Sequence, residues 1–195
     1  GKILQTAFNW TPKQYRKTLV ALRAHLNVVE QKMSANEWTK INYEQVPSRA
    51  SLIYKDAFRK HDSEGYSKFL SRVKSGEAKI NAGTLYPYDI FNKAFVSYDA
   101  TIDELWKAQP DYLKDNKRNI LVVADVSGSM RGMPLATSVS LAIYTAERNK
   151  GAFHNYFMTF SADPKLQQVI GSNIHEKVTN LCSADWGMNT DINKV

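Results

Sequence analysis

Residues 119–124, Asn-Ile-Leu-Val-Val-Ala, form a short β-branched apolar run that passes directly into Asp125-Val-Ser-Gly-Ser. This is the pattern of a strand buried on both faces, and such strands belong to sheets covered by helices. No other feature limits the fold as much. Pro134 then opens a helix with Leu135, Val139, Ala142, Ile143 and Ala146 on one side. Gly151 ends that stretch, and residues 153–160 read as a second buried strand. Strand, helix and strand in this order predict a right-handed parallel unit of an open α/β sheet.

Beyond this unit, Leu166 to Ile170 suits a short edge strand, and Ile174, Val178 and Leu181 fall on one helical face. The loop from Cys182 to Asn189 leads to Thr190-Asp191, either of which can cap a further helix. That helix would be one turn long at Val195. A doubly wound sheet has more strands than this, so the chain is expected to be a piece of a longer protein. A second copy completing the sheet is the expected form of homo-oligomer, since free strand edges invite pairing.

Residues 1–118 read as helical. Thr11-Pro12 supplies an N-cap and a proline at the first helical position. Tyr15, Leu19, Leu22 and Leu26 follow on one face, with Asn27 as the stop. A second stripe is Ala50, Ile53, Tyr54, Ala57 and Phe58. A third is Tyr66, Phe69, Leu70 and Val73, ended by Gly76. A fourth, after Pro87, is Phe91, Ala94, Phe95 and Tyr98. Helices this short need to pack on one another. Residues 110–119 are polar and mark the expected boundary, giving a helical region over 1–118 and a partial α/β domain over 119–195.

With 43% hydrophobic and 23% charged residues, the chain has the composition of a soluble globular protein. It has one cysteine, Cys182, so no intrachain disulfide can form, and an intracellular, cytoplasmic setting is expected. No apolar run approaches the ~20 residues that span a bilayer, and the first ten residues lack a secretory pattern. No membrane association is expected. Charge is uneven: residues 1–118 hold 20 Lys and Arg against 13 Asp and Glu, whereas residues 119–195 hold 6 of each. The basic excess can attract phosphate backbones or can be solvated helix faces. Lys55, Arg59, Lys60, Lys68, Arg72 and Lys74, on two adjacent predicted helices, are the candidate phosphate contacts.

The loop Asp125-Val-Ser-Gly-Ser follows the first strand, which places it at the carboxyl edge of the sheet, where open α/β sheets bind ligands. Alternate residues offer a carboxylate and two hydroxyls, the hard oxygen donors that Mg²⁺ prefers. Gly128 is expected to let the loop bend between the two serines. The plain alternative is a carboxylate and hydroxyls that only cap a turn.

The motif, the helix from Pro134 and the strand ending Met158-Thr159-Phe160-Ser161 resemble a von Willebrand factor A (vWA) domain with its metal-ion-dependent adhesion site, MIDAS. The resemblance implies Asp125, Ser127 and Ser129 as first-loop ligands and Thr190 as the second-loop ligand. It implies Asp191 in an outer shell, and a third-loop aspartate that falls beyond Val195. It also implies bound Mg²⁺ or Mn²⁺ and capture of an acidic side chain from a protein partner. The stretch from Tyr15 to Val195, including residues 43–48, residues 76–83 and Trp186-Gly-Met-Asn-Thr-Asp, resembles an uncharacterised family of viral and cellular proteins. Its members pair a helical region with a C-terminal vWA domain. That architecture is similar to the Ro-type TROVE proteins, which implies structured RNA as an alternative partner.

Other chemistries lack their residues. A haloacid dehalogenase-like phosphotransferase needs a second Asp where Ser127 stands. Ser127 lacks the G-x-S-x-G elbow of a hydrolase nucleophile. His154 is expected inside the second strand, and His25, His61 and His175 on helices, without zinc-ligand spacing to Cys182. Cys182 reads as a small packing residue. There is no P-loop and no G-x-G-x-x-G. The expected function is therefore non-enzymatic: metal-dependent binding of a protein ligand, with RNA binding by the basic helices as the alternative.

Overall fold

The computed structural model describes residues 1–160 and 164–182. The chain is mixed α/β, with nine α-helices and a three-stranded sheet among these residues. In chain order the helices are α1 Lys2–Ala7, α2 Pro12–His25, α3 Val29–Ser34, α4 Ser48–His61, α5 Ser63–Ser75, α6 Pro87–Ala94, α7 Ala100–Lys107, α8 Met133–Arg148 and α9 Ile174–Cys182. The strands are β1 Val122–Asp125, β2 Tyr156–Phe160 and β3 Leu166–Gln168.

The strand-helix-strand unit forms as the periodicity predicts. β1 and β2 are parallel, with Val122 opposite Phe157 and Asp125 opposite Phe160. β3 lies at the edge, antiparallel to β2. β2 starts three residues later than expected, because residues 151–155 form a turn in which Asn155 has φ 61°. His154 therefore sits in that turn, where its Nδ1 is 2.6 Å from the carbonyl oxygen of Asn149. The sheet order is β1-β2-β3, so the sheet is mixed, with β1 at one edge among the described residues. Among the described residues, no strand pairs with the other edge of β1.

α8 covers the sheet and carries the junction. Val139, Ala142 and Ile143 are completely buried, and Ala146 nearly so. The helix packs against β1 and β2 and also against α6, whose Ile90, Phe91 and Ala94 are buried. Apolar residues of the helical region and of the sheet thus form one continuous core. A polar cluster reinforces it. The Trp106 indole on α7 donates to Glu147 Oε2 on α8 at 2.7 Å, and Lys177 Nζ on α9 lies 2.6 Å from Glu147 Oε1. The Arg148 guanidinium stacks 3.9 Å from the Tyr144 ring centroid, and the Tyr144 hydroxyl donates to the carbonyl of Pro110.

In the helical region the N-terminal signals of α2 are present: Thr11 and Gln14 form a reciprocal capping box before Pro12. Its apolar face, however, is not core. No residue of α2 is buried, and Leu22 and Leu26 are exposed. α4 keeps most of the expected stripe, with Phe58 buried and Ala50, Tyr54 and Ala57 half-buried, but it also buries Ser51 and Leu52 while Ile53 is exposed. α5 buries Tyr66 and Phe69, and Gly76 ends it at φ 83°. α6 stops at Ala94, which leaves Phe95 and Tyr98 exposed. Tyr43, Phe58, Tyr66 and Phe69 cluster with ring centroids 5.0–6.1 Å apart. Burial there raises the Tyr66 hydroxyl to about 12.

α7 is not among the helices that the sequence pattern predicts, although its residues 101–106 are all buried. Asp103 and Glu104 in its middle look like a solvent face. Instead Asp103 accepts the Ile174 N–H at 3.1 Å, and Lys107 bridges both carboxylates at 2.7 and 2.9 Å. The signal that locates α7 is Asp99, whose carboxylate caps the Thr101 and Ile102 amides. Cys182 is exposed, not the packing residue expected. Among the described residues no helix is long and apolar enough to cross a membrane.

If α8 fixes helices to sheet, Ile143→Ala should cost about 2–5 kcal/mol, the range for emptying a buried Ile site. In urea, unfolding followed by Trp fluorescence and by circular dichroism should shift together. Loss of one transition with the other intact would show that the two regions are independent.

Candidate metal centre

The strand β1 delivers Asp125 to the carboxyl end of the sheet. Residues 126 and 127 turn the chain, and residues 128–130 form one 3₁₀ turn. The Asp125 Oδ1 atom accepts the Ser127 backbone N–H at 2.9 Å, and Met130 N–H donates to the Ser127 carbonyl at 3.0 Å. These bonds fold the loop back on itself. They place the Ser127 and Ser129 hydroxyl oxygens 3.1 Å apart. Ser127 is buried, Asp125 half-buried and Ser129 exposed.

Gly128 is not where the loop needs a glycine: it has no positive φ, and a Cβ there would meet open space. That requirement falls on Gly132, at φ 86°, immediately before α8. Thr190 and Asp191 lie outside the described residues.

One carboxylate and two hydroxyls are donor types that small hard cations take. Neighbouring oxygens around six-coordinate Mg²⁺, with bonds of ~2.1 Å, are about 3.0 Å apart. The 3.1 Å spacing of the two hydroxyls matches this, and it is also a hydrogen-bond distance. Asp125 would supply the one negative charge through the oxygen not bonded to Ser127.

The six basic candidates are placed differently from the expectation of a free phosphate-binding face. Lys55 is largely buried, with Nζ 2.8 Å from Asp99 Oδ2 and 2.9 Å from Asp56, and Arg59 reaches Asp99 at 3.0 Å and Asp56 at 3.2 Å. Lys68 pairs with Glu64 at 2.7 Å, and Arg72 with Glu44 at 3.2 Å. Both of these pairs are exposed and weak. Only Lys60 and Lys74 of the six have no carboxylate partner among the described residues. The sequence reading missed a second basic group, Lys114, Lys117, Arg118 and Lys150, which lines one cleft. Its signal is the density of cations in the polar segment 114–118, the same segment that marks the expected domain boundary.

These features define a mixed α/β protein with a carboxylate-and-hydroxyl loop at the carboxyl edge of its sheet. The chain belongs to the family described as "Domain of unknown function (DUF2828)", whose model matches residues 5–125. A second model, "Domain of unknown function (DUF7788)", matches residues 119–195, so the two meet across β1. An uncharacterized protein of Acanthamoeba polyphaga mimivirus is 32% identical over 209 residues, an alignment covering 98% of this chain and 36% of the relative. The chain thus spans about a third of that relative's length. No solved structure matches it.

Asp99 allows a pH test of the basic cluster. Burial acts to raise its carboxyl, but hydrogen bonds from Lys55 and Arg59 outweigh this and hold it below the ordinary 3.8. A lowered folded value means that its stabilisation is fully present above that pH and is lost as pH falls through the folded value. Asp99→Asn keeps a good N-cap but should cost about 2 kcal/mol at neutral pH through the two lost ion pairs. The gap between wild type and variant in thermal melts should close as pH falls below the ordinary value. A gap that stays constant would contradict this role.

Proposed function

We propose that this chain is a non-enzymatic, cytoplasmic binding protein. Its 119–195 part is a partial vWA-like domain with a MIDAS-type site for metal-dependent capture of a protein ligand. The observation that carries the reading is the loop itself: Asp125, Ser127 and Ser129 present three hard oxygens at the carboxyl end of β1, with the hydroxyls 3.1 Å apart. The parallel pairing of β1 with β2 supports it, because open α/β sheets bind ligands at the carboxyl ends of their parallel strands.

Asp125, Ser127 and Ser129 would hold Mg²⁺ or Mn²⁺, and the resemblance adds Thr190 as a ligand and Asp191 behind it. A bound cation supplies an electrophilic point for a carboxylate oxygen of the partner. One protein carboxylate leaves the ion with net positive charge, which favours an acidic incoming ligand. The fixed loop keeps the ordering cost of binding low.

Structured RNA bound by the six basic helix residues stands second. Lys55 is turned inward onto Asp99, and three more of the six are already ion-paired.

Calorimetric titration of Mg²⁺ and of Mn²⁺ tests the first reading, on a chain extended through the third loop that the resemblance requires. One ion should bind per chain. Asp125→Ala should abolish that heat while changing metal-free stability by only about 1 kcal/mol, the loss of one turn-capping bond. Equal metal binding by the variant would overturn the proposal.

A further inference from the structure

At the end of β1 opposite Asp125, residues 114–119 face Lys150 and Gly151 across an open cleft of about 630 Å³. Four of the eight lining residues are cationic: Lys114, Lys117, Arg118 and Lys150. Asp115 is the one carboxylate among them, leaving a charge of +3. None of the four cations forms an ion pair with a carboxylate among the described residues. This differs from Lys55, Arg59, Lys68 and Arg72.

The cleft is built, not a chance gathering of surface lysines. Lys150 Nζ donates to the Lys114 carbonyl at 2.6 Å, which ties the two walls together. Asn116 Oδ1 accepts the Arg118 N–H at 3.1 Å. Asn119 Oδ1 accepts the Ala152 N–H at 2.7 Å, and Asn149 Nδ2 donates to the Ile120 carbonyl at 2.7 Å. The approach is so close that a Cβ on Gly151 would fall 1.6 Å from Asn119 Oδ1. The backbone that presents the cations is fixed before any ligand arrives, which lowers the cost of binding.

We propose that this cleft binds the phosphodiester backbone of nucleic acid, and binds it without reading sequence. Concave shape, fixed walls and uncompensated positive charge select a flexible polyanion. The lining residues are all polar or glycine, with no apolar or aromatic wall to hold a base, so the contacts go to phosphate and not to base edges. The same lining argues against a bilayer. A flat surface does not enter a concave cleft, and no lining side chain can insert among acyl chains. The proposal is independent of the metal site, which lies at the other end of β1, and it uses none of the six helix residues considered above.

Fluorescence anisotropy with a labelled 12-nucleotide oligouridylate, titrated with this chain, tests it. Four phosphate contacts on a single strand give a salt slope of about −3, so affinity should fall about 50-fold between 50 and 200 mM salt. A mixed-sequence strand of equal length should bind within a few-fold. Lys117→Glu/Arg118→Glu should weaken binding at least 10-fold, and Lys117→Gln/Arg118→Gln by less, with melting temperatures unchanged. Lys60→Glu/Lys74→Glu should bind as wild type. Equal binding by the cleft variants, loss in the Lys60/Lys74 variant alone, or no binding at 50 mM salt would overturn the proposal. So would sedimentation with anionic vesicles that the cleft variants abolish while the oligonucleotide stays unbound.

Discussion

The structure depends on α8 being apolar on more than one side. A surface helix offers one stripe to the core and the rest to water. α8 instead buries Ala136, Val139, Ser140, Ala142, Ile143, Tyr144 and Ala146, and packs on β1 and β2 with one part of its surface and on α6 with another. Small residues at 136, 142 and 146 let these neighbours come close. Consequently the sheet and the helices share one core, and the loop bearing Asp125 is anchored between β1 and α8. The polar junction of Trp106, Glu147 and Lys177 draws α7, α8 and α9 together: the Glu147 carboxylate accepts from Trp106 through one oxygen and is ion-paired with Lys177 through the other.

The sequence was most legible where periodicity and burial agree. The helix from Pro134 and the face of Ile174, Val178 and Leu181 bury the side that their spacing marks, whereas the 119–124 run, expected to be buried on both faces, fully buries only Ala124. It was least legible where charge is buried or apolar surface is exposed. α7 hides because Asp103 and Glu104 look solvated, yet each finds its partners inside the fold. α2 misleads in the other direction: its stripe is regular, but Tyr15 and Leu19 are only half-buried and Leu22 and Leu26 are exposed. On α4 the expected stripe holds at Ala50, Tyr54, Ala57 and Phe58, but Ile53 is exposed and Leu52 is buried in its place. The start of β2 moved because Asn155 accepts a left-handed conformation, for which Asn is among the more tolerant residues.

The candidate site was legible as a motif but not as a geometry. Residue types at 125, 127 and 129 announce oxygen donors. Only the structure shows that Ser127 N–H fixes the carboxylate and that the two hydroxyls come within 3.1 Å. Composition was a poorer guide to charge. The basic excess of residues 1–118 is partly spent on Asp99, Glu64 and Glu44, whereas cations without such partners gather in a cleft at the boundary segment. Both proposed sites lie at the ends of one four-residue strand, the element that the 119–124 run identifies first.

The most direct test of the metal reading is anomalous diffraction from Mn²⁺-soaked crystals. It predicts one ion in contact with an Asp125 carboxylate oxygen and the Ser127 and Ser129 hydroxyls, at about 2.0–2.3 Å. An ion bound elsewhere, or none at this loop with the hydroxyls still 3.1 Å apart, would mean that Asp125 only caps the turn.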